Sequence, residues 1–320
     1  MQPKDKILIS GAAGFIGSNL LHLLQNLGFQ NVVGIDDYSE GSNPENLDGV
    51  QYHIHPVNIT KEKCVQEVFE TEQPDYVVHL AAASHVDRSI SGDKVFWETN
   101  VIGTGNVLRS CREHSVKKVI VQLTDEVYGE VPPGAPWAKE GDIPKPTSPY
   151  PCSKTAQYYV GKSYFTTWGV PVVSTFPVNN FGPRQFKEKL IPKFIDNLLN
   201  GLKVPLMAST HFERDWLPVV DMCRALVLLL AKGVPGEDYN VGANNHHTNL
   251  EITKKLLTLC GRDESFIKIV PDRLAHDSRY AVNYDKIVEL GYSPSERFDS
   301  YLAKTVEWYS TQREKGSCTG

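Results

Sequence analysis

The sequence has no apolar run long enough to cross a bilayer. Its longest, Ala225 to Ala231, falls far short of the roughly 20 residues that a spanning helix needs. An apolar leader is also lacking, because the N-terminus passes directly into Lys6-Ile7-Leu8-Ile9, a short buried-strand pattern. No membrane association and a cytoplasmic location are therefore expected. Positive charge is not in excess: 33 Lys and Arg stand against 38 Asp and Glu, a net charge of −5. That balance argues against nucleic acid as a partner, which favours a basic face. Cysteine is sparse, with six residues: Cys64, Cys111, Cys152, Cys223, Cys260 and Cys318. None forms a CxxC pair or stands at metal-ligand spacing from a His, so reduced and mostly buried thiols are expected. His246-His247 has no matching ligand spacing and reads as a turn, so no metal is expected. Repeats, low-complexity stretches and flexible linkers are missing too. Any second domain must be woven from later segments rather than strung after the first.

What is present is an ordinary globular composition, 41% hydrophobic and 22% charged, in a 320-residue chain able to bury a sizeable core. Short apolar runs predict strands at 6–10, 31–36, 51–54, 75–79, 118–122 and 171–176. Helical patterns at 14–27, 61–71, 93–114 and 150–168 separate most of them. Strand–helix alternation of this kind implies an α/β fold: a Rossmann-type doubly wound parallel sheet with right-handed crossovers. The Pro-rich segment Val131 to Pro149 reads as a structured loop, since Pro suits neither a helix interior nor a central strand. From about Asn179 the pattern turns irregular, with short helices near 187–200, 219–232, 249–260 and 298–310. This half predicts a smaller, interwoven C-terminal domain.

Chemistry concentrates in a few places. Gly11-Ala12-Ala13-Gly14-Phe15-Ile16-Gly17 follows the first strand and opens the first helix, where glycines let a pyrophosphate approach a helix N-terminus. Asp36 closes the second strand, where a carboxylate accepts from ribose hydroxyls and repels a 2′-phosphate; NAD is favoured over NADP. Leu80-Ala81-Ala82-Ala83 ends the fourth strand with small side chains that admit a cofactor, and a polar loop, Ser84 to Ser89, follows. Thr124-Asp125-Glu126 puts a hydroxyl and two carboxyls where the fifth strand ends. Neighbouring carboxyls in one cleft need not share a pKa, so one can be an acid and the other a base. Tyr150 and Lys154 stand one helical turn apart, where an ammonium favours a phenolate. A redox site with an added acid–base pair is the combined reading. Arg214 and Arg273 are isolated cations suited to phosphate.

These residues resemble an extended short-chain dehydrogenase/reductase, and within that group the dTDP-glucose 4,6-dehydratases. The matching pieces are GAAGFIGS, the SHVDRS loop, TNVIGT at 99–104, LTDEVYG, SPYPCSK, NNFGPRQFKEKLIP from Asn179, RDWL at 214–217, YNVGANN from Tyr239 and DRLAHDSRYAVN from Asp272. The resemblance implies that Thr124 polarises the sugar C4 oxygen, Tyr150 is its base and Lys154 holds the nicotinamide ribose. It makes Asp125 the acid for the leaving C6 hydroxyl and Glu126 the base for the C5 proton. Gly11, Gly14, Phe15, Ile16, Gly17, Asp36, Asn58, Ile59, Leu80, Ala81, Ala82, Thr99, Tyr150, Lys154 and Asn179 fall at cofactor positions. Ser84, His85, Asn180, Lys189, Leu190, Arg214, Asn249, Arg273 and His276 fall at nucleotide-sugar positions. Two departures stand out: the family usually has Asp where this chain has Asn58, and Arg where it has Phe176.

The expected division is an NAD-binding domain from 1–177 and about 208–238, a nucleotide-sugar domain from about 178–207 and 239–314, and a tail at 315–320. A homodimer through helices 93–114 and 150–168 is implied as well. The resulting expectation is an NAD-dependent nucleotide-sugar 4,6-dehydratase. The motifs admit dTDP or UDP, and glucose or an N-acetylated sugar. Three rivals remain at this point: a nucleotide-sugar 4-epimerase, a UDP-glucuronate decarboxylase and a non-catalytic NAD-binding regulator.

Overall fold

A computed structural model describes residues 4–132, 134–272, 274 and 277–317, without the side chains of 315–317. The predicted strands form where short apolar runs lie between turn residues. They are β1 (Ile7–Ser10), β2 (Val32–Asp36), β3 (His53–Pro56), β4 (Tyr76–His79), β5 (Lys118–Gln122) and β6 (Val172–Pro177). All pair in parallel, β1 lying between β2 and β4. β1, β2 and β4 are buried along their whole length, as expected for strands covered on both faces. β3 is the edge and lies two residues later than its pattern suggests. Only β2 pairs with it, so its polar His53-Ile54-His55-Pro56 is tolerated.

Helices α1 (Phe15–Asn26), α2 (Glu62–Glu72), α3 (Val86–Ser91), α4 (Lys94–Trp97), α5 (Thr104–Glu113) and α6 (Pro149–Trp168) flank the sheet. The helix expected over 93–114 is α4 and α5 joined by a π-helical stretch, Glu98–Gly103. Such widened turns concentrate near functional sites. Phe96, Val107, Leu108 and Tyr164, on the helices expected to form a dimer contact, are buried within the chain itself. α6 starts at Pro149, whose fixed φ suits the first turn, and ends at Gly169 with φ +69°.

The later half contributes β7 (Asn179–Phe181), β8 (Val204–Met207), β9 (Glu213–Pro218), β10 (Asp238–Val241), β11 (His246–Thr248) and β12 (Ile267–Val270). It also holds α7 (Leu190–Leu199), α8 (Val219–Lys232), α9 (Asn249–Leu259), α10 (Asp285–Glu289) and α11 (Phe298–Ser317). β10 joins the large sheet beside β6, giving the order β10-β6-β5-β4-β1-β2-β3. The boundary expected at 238/239 thus falls inside a strand of the large sheet. β9, expected with the cofactor domain, pairs with β7 and β11 in a separate three-stranded sheet, and β8 pairs with β12. The tail expected at 315–320 overlaps α11, which reaches Ser317; residues 318–320 lie outside the described part. No helix among the described residues is long and apolar enough to cross a membrane.

Candidate active site

The sheet order reverses between β1 and β4, and a cavity of ≈ 430 Å³ opens beyond the carboxyl ends of these strands. That crevice is where open α/β sheets bind ligands. Gly11, Gly14, Phe15, Ile16 and Gly17 line it, followed by Asp36, Asn58, Ile59, Leu80, Ala81, Ala82, Ser84, His85 and Thr99. Opposite stand Thr124, Asp125, Glu126, Tyr150, Lys154, Asn179, Asn180 and Lys189. Leu190, Arg214 and Asn249 do not line it, while Arg273 and His276 lie outside the described residues.

Glycine is needed twice at the turn from β1 to α1. Gly11 has φ +72°, and a Cβ there would lie 2.7 Å from the Ala81 nitrogen. A Cβ on Gly17 would lie 2.0 Å from the Gly11 carbonyl oxygen. The turn therefore brings α1 and the end of β4 close together, and the free N–H groups of α1 face the cavity. Asp36 accepts from Ala13 N and Tyr38 N, both at 2.8 Å, and burial raises its pKa against these bonds. This carboxylate braces the glycine turn as well as facing the cavity.

At the end of β5, Thr124 caps a single 3₁₀ turn, Asp125–Tyr128, by accepting from Glu126 N at 3.3 Å. The turn folds Asp125 inward, where it is buried, and leaves Glu126 half-buried beside it. Burial raises the Asp125 pKa well above the ordinary value; the Glu126 charge adds to the shift and Arg214 opposes it. Burial thus favours the protonated form of Asp125. Arg214 is itself held away from the cavity, donating to the carbonyls of Ser278 and Asp277 at 3.0 and 2.7 Å and stacking on Tyr280.

Tyr150 and Lys154 both project from the first turns of α6 into the cavity. Burial, then the Glu126 charge, raises the Tyr150 pKa, while a hydrogen bond with Thr124 opposes them. Burial lowers the Lys154 pKa to about 7, and its Nζ donates to the Gln122 carbonyl at 2.7 Å. Burial is the chief cause of both shifts. An oxidised nicotinamide in this cavity would add a positive charge that favours the phenolate. The protein fits that group: Asp125 Oδ2, Asn180 Oδ1, Gln185 Oε1 and Gln122 Oε1 are buried, accept no hydrogen bond from the protein, and belong to residues lining this cavity.

Two sets of contacts were not legible in the sequence, although Ser84, His85 and Lys189 of the second fall at expected nucleotide-sugar positions. His79, on β4, joins Ser10 Oγ at 2.6 Å to Thr104 Oγ1 at 2.8 Å beneath the cavity. Gln157 on α6 donates to the same hydroxyl at 2.9 Å. A His in an apolar run reveals nothing of such partners. Burial, then the Lys154 charge, lowers its pKa from 6.5 to about 3. The unfolded chain therefore binds more protons between these values, and stability falls as the pH drops through 6.5 towards 3. His79→Gln should flatten that dependence by up to about one proton, read from urea midpoints between neutral pH and about pH 5. An unchanged slope would assign the acid sensitivity elsewhere. The second cluster lies at the mouth, where Glu188 pairs with Arg88 and, at 3.1 Å, with His85. Lys189 donates to the Ser84 carbonyl at 2.8 Å, tying the same two loops together.

A comparison with protein families matches residues 7–242 to the NAD dependent epimerase/dehydratase family. The chain belongs to this family. A dTDP-glucose 4,6-dehydratase from Shigella flexneri is 38% identical, the match covering 95% of this chain and 92% of that protein. Another from Actinoplanes sp. is 39% identical over 96% of this chain and 98% of its own length. Among solved structures, the dTDP-glucose 4,6-dehydratase DesIV of Streptomyces venezuelae, with NAD bound, superposes with a TM-score of 0.93 at 38% identity, covering 97% of this chain and 98% of that one. A UDP-glucose 4-epimerase from Thermus thermophilus, also with NAD, reaches a TM-score of 0.89 at 29% identity over 95% and 99% of the two chains. NAD is the cofactor of this chain.

Proposed function

We propose that the chain is an NAD-dependent nucleotide-sugar 4,6-dehydratase that converts dTDP-glucose to its 4-keto-6-deoxy product. The observation that carries this reading is Asp125. It is a buried carboxyl beside Glu126, its pKa raised by burial, in the cavity that Tyr150 and Lys154 also line. An epimerase needs only the Tyr/Lys pair, and a bare NAD-binding regulator needs neither set. The dTDP-glucose 4,6-dehydratases among the relatives support the same substrate.

Bound NAD supplies the hydride acceptor at C4 and the hydride returned at C6. Tyr150 removes the C4 hydroxyl proton, with Thr124 bonded to it and Lys154 holding the phenol end of α6 against the Gln122 carbonyl. The 4-keto group acidifies C5. Glu126 takes the C5 proton, and Asp125 gives its proton to the C6 hydroxyl, which leaves as water. An alkene spans C5 and C6 until C6 is reduced, and a proton then returns to C5. The C4 proton goes to Tyr150, the C5 proton to Glu126, and the C6 oxygen leaves as water with the proton from Asp125.

Ser84, His85, Asn180 and Lys189 are assigned to the sugar nucleotide, as are Leu190, Arg214, Asn249, Arg273 and His276. We assign segments 1–177 and about 208–238 to cofactor binding, and about 178–207 and 239–314 to the nucleotide sugar. Cytoplasmic location completes the reading. A panel of nucleotide sugars tests it through the alkali-induced absorbance of a 4-keto product. dTDP-glucose should give the strongest signal, and a stronger signal from a UDP-sugar would reassign the base.

The homodimer is proposed through helices 93–114 and 150–168, whose Ile102 and Tyr159 are 57% and 55% exposed. Such a face suits an isologous contact between two copies. Light scattering at micromolar concentration should return twice the chain mass, and a monomer mass would sink the assignment.

A further inference from the structure

One guanidinium links three segments at the mouth of the cavity. Arg88, on α3, engages all three of its nitrogens. Nε donates to Glu188 Oε2 at 3.0 Å and Nη2 donates to Glu188 Oε1, a bidentate grip, while Nη1 pairs with Glu40. Arg88 also holds the Glu188 carboxyl below the usual carboxylate range. Glu40 lies in the loop that follows β2, and Glu188 comes just before α7. All three side chains line the cavity and stay partly exposed, so they form its rim. The bridge therefore runs from the loop past Asp36, over α3, to the segment that opens the later half of the chain. His85 joins it through Glu188 at 3.1 Å, and Lys189 reaches the Ser84 carbonyl at 2.8 Å alongside. Exposed ion pairs add little to the stability of a fold. At a cavity rim they act on exchange instead, because a large ligand must part them to leave.

From this bridge we infer that Arg88 is a positioning residue: by tying Glu40 to Glu188 it keeps the cofactor in the cavity while that cofactor carries the substrate's hydride. Slow release needs only that NAD be bound; its use in turnover rests on the dehydratase reading as well. The redox balance is what makes retention matter. Hydride leaves C4 and returns at C6, so a complete cycle leaves NAD as it began. Cofactor that escapes between the two steps takes the hydride with it. The sugar then has no hydride for C6, and the protein has no oxidant for the next cycle. A Lys at position 88 would not serve as well. An ammonium is a point charge, and it lacks the fork that grips one carboxylate with two nitrogens while a third reaches another.

The test loads the full chain with labelled NAD, adds excess unlabelled NAD and follows the loss of label without sugar. Glu40→Gln should speed the loss about twofold and Arg88→Gln about fivefold, the weight of one and of two exposed pairs. Arg88→Lys should fall between wild type and Arg88→Gln. The double variant Glu40→Gln with Arg88→Gln should match Arg88→Gln alone, because Glu40 acts only through Arg88. Added salt should speed the loss more from wild type than from the double variant. Label loss from Arg88→Gln at the wild-type rate would overturn the inference, and so would single effects that multiply in the double variant. With dTDP-glucose, Arg88→Gln turnover should decay as cycles accumulate, and added NAD should restore it. Steady turnover of this variant without added NAD would overturn the role in the reaction. The expected pattern of label loss with no product from wild type would leave the bridge in place and count against the dehydratase reading instead.

Discussion

Glu126→Gln should lower formation of the 4-keto-6-deoxy product by about 10²–10⁴-fold, the usual cost of a lost general base. The amide keeps the size of the carboxylate and fits the same half-buried place at the cavity wall, so the fold should persist. C4 oxidation uses Tyr150 and Lys154 and should survive. The reaction then stops, because the C5 proton stays in place and no alkene forms. Recovered substrate should carry no solvent deuterium at C5. Asp125→Asn gives the complementary result. It keeps the C5 base but removes the acid proposed for the C6 hydroxyl, so product falls by a similar factor while C5 exchange continues. The mutant pair separates two chemical steps that a single activity assay merges. Product at the wild-type rate from Glu126→Gln would break this division of labour.

Tyr150→Phe should abolish both product and C5 exchange, again by about 10²–10⁴-fold. Exchange at C5 depends on the 4-keto group, and that group forms only once the C4 proton is taken. Packing should be little changed. The ring stacks edge-on against Phe96 at 6.3 Å, and the backbone bond from Tyr150 N to Ser89 Oγ at 3.2 Å does not use the phenol. Thermal unfolding should therefore stay close to wild type while turnover vanishes. C5 exchange at the wild-type rate in this variant would place the C4 base elsewhere.

The first half of the fold was legible because each strand buried on both faces shows as a short apolar run. β10 escaped because its sequence, Asp238-Tyr239-Asn240-Val241, reads as polar. Buried Asn240 is satisfied only by distant partners: it accepts from Tyr128 OH at 2.8 Å and donates to the Asn283 carbonyl at 2.8 Å. α3 escaped for a similar reason. Ser84 to Ser89 looks like a polar loop, yet the His85 ring accepts from Arg88 N and starts a helix. In the site, spacing alone placed Tyr150 against Lys154 and Thr124 against the two carboxyls. It did not reveal that Arg214 turns to the carbonyls of Asp277 and Ser278, or that Asp37 and Asn58 share a hydrogen bond. Those arrangements depend on contacts between segments far apart in the chain, which no local pattern encodes.

The most direct test of the account is one reaction of the wild-type chain with dTDP-glucose in deuterated water, read by proton NMR of the sugar. Dehydration through Glu126 and Asp125 predicts a C6 methyl group, a keto carbon at C4 and solvent deuterium at C5. A sugar inverted at C4, with its C6 hydroxyl intact and no deuterium at C5, would contradict the account and make the chain an epimerase.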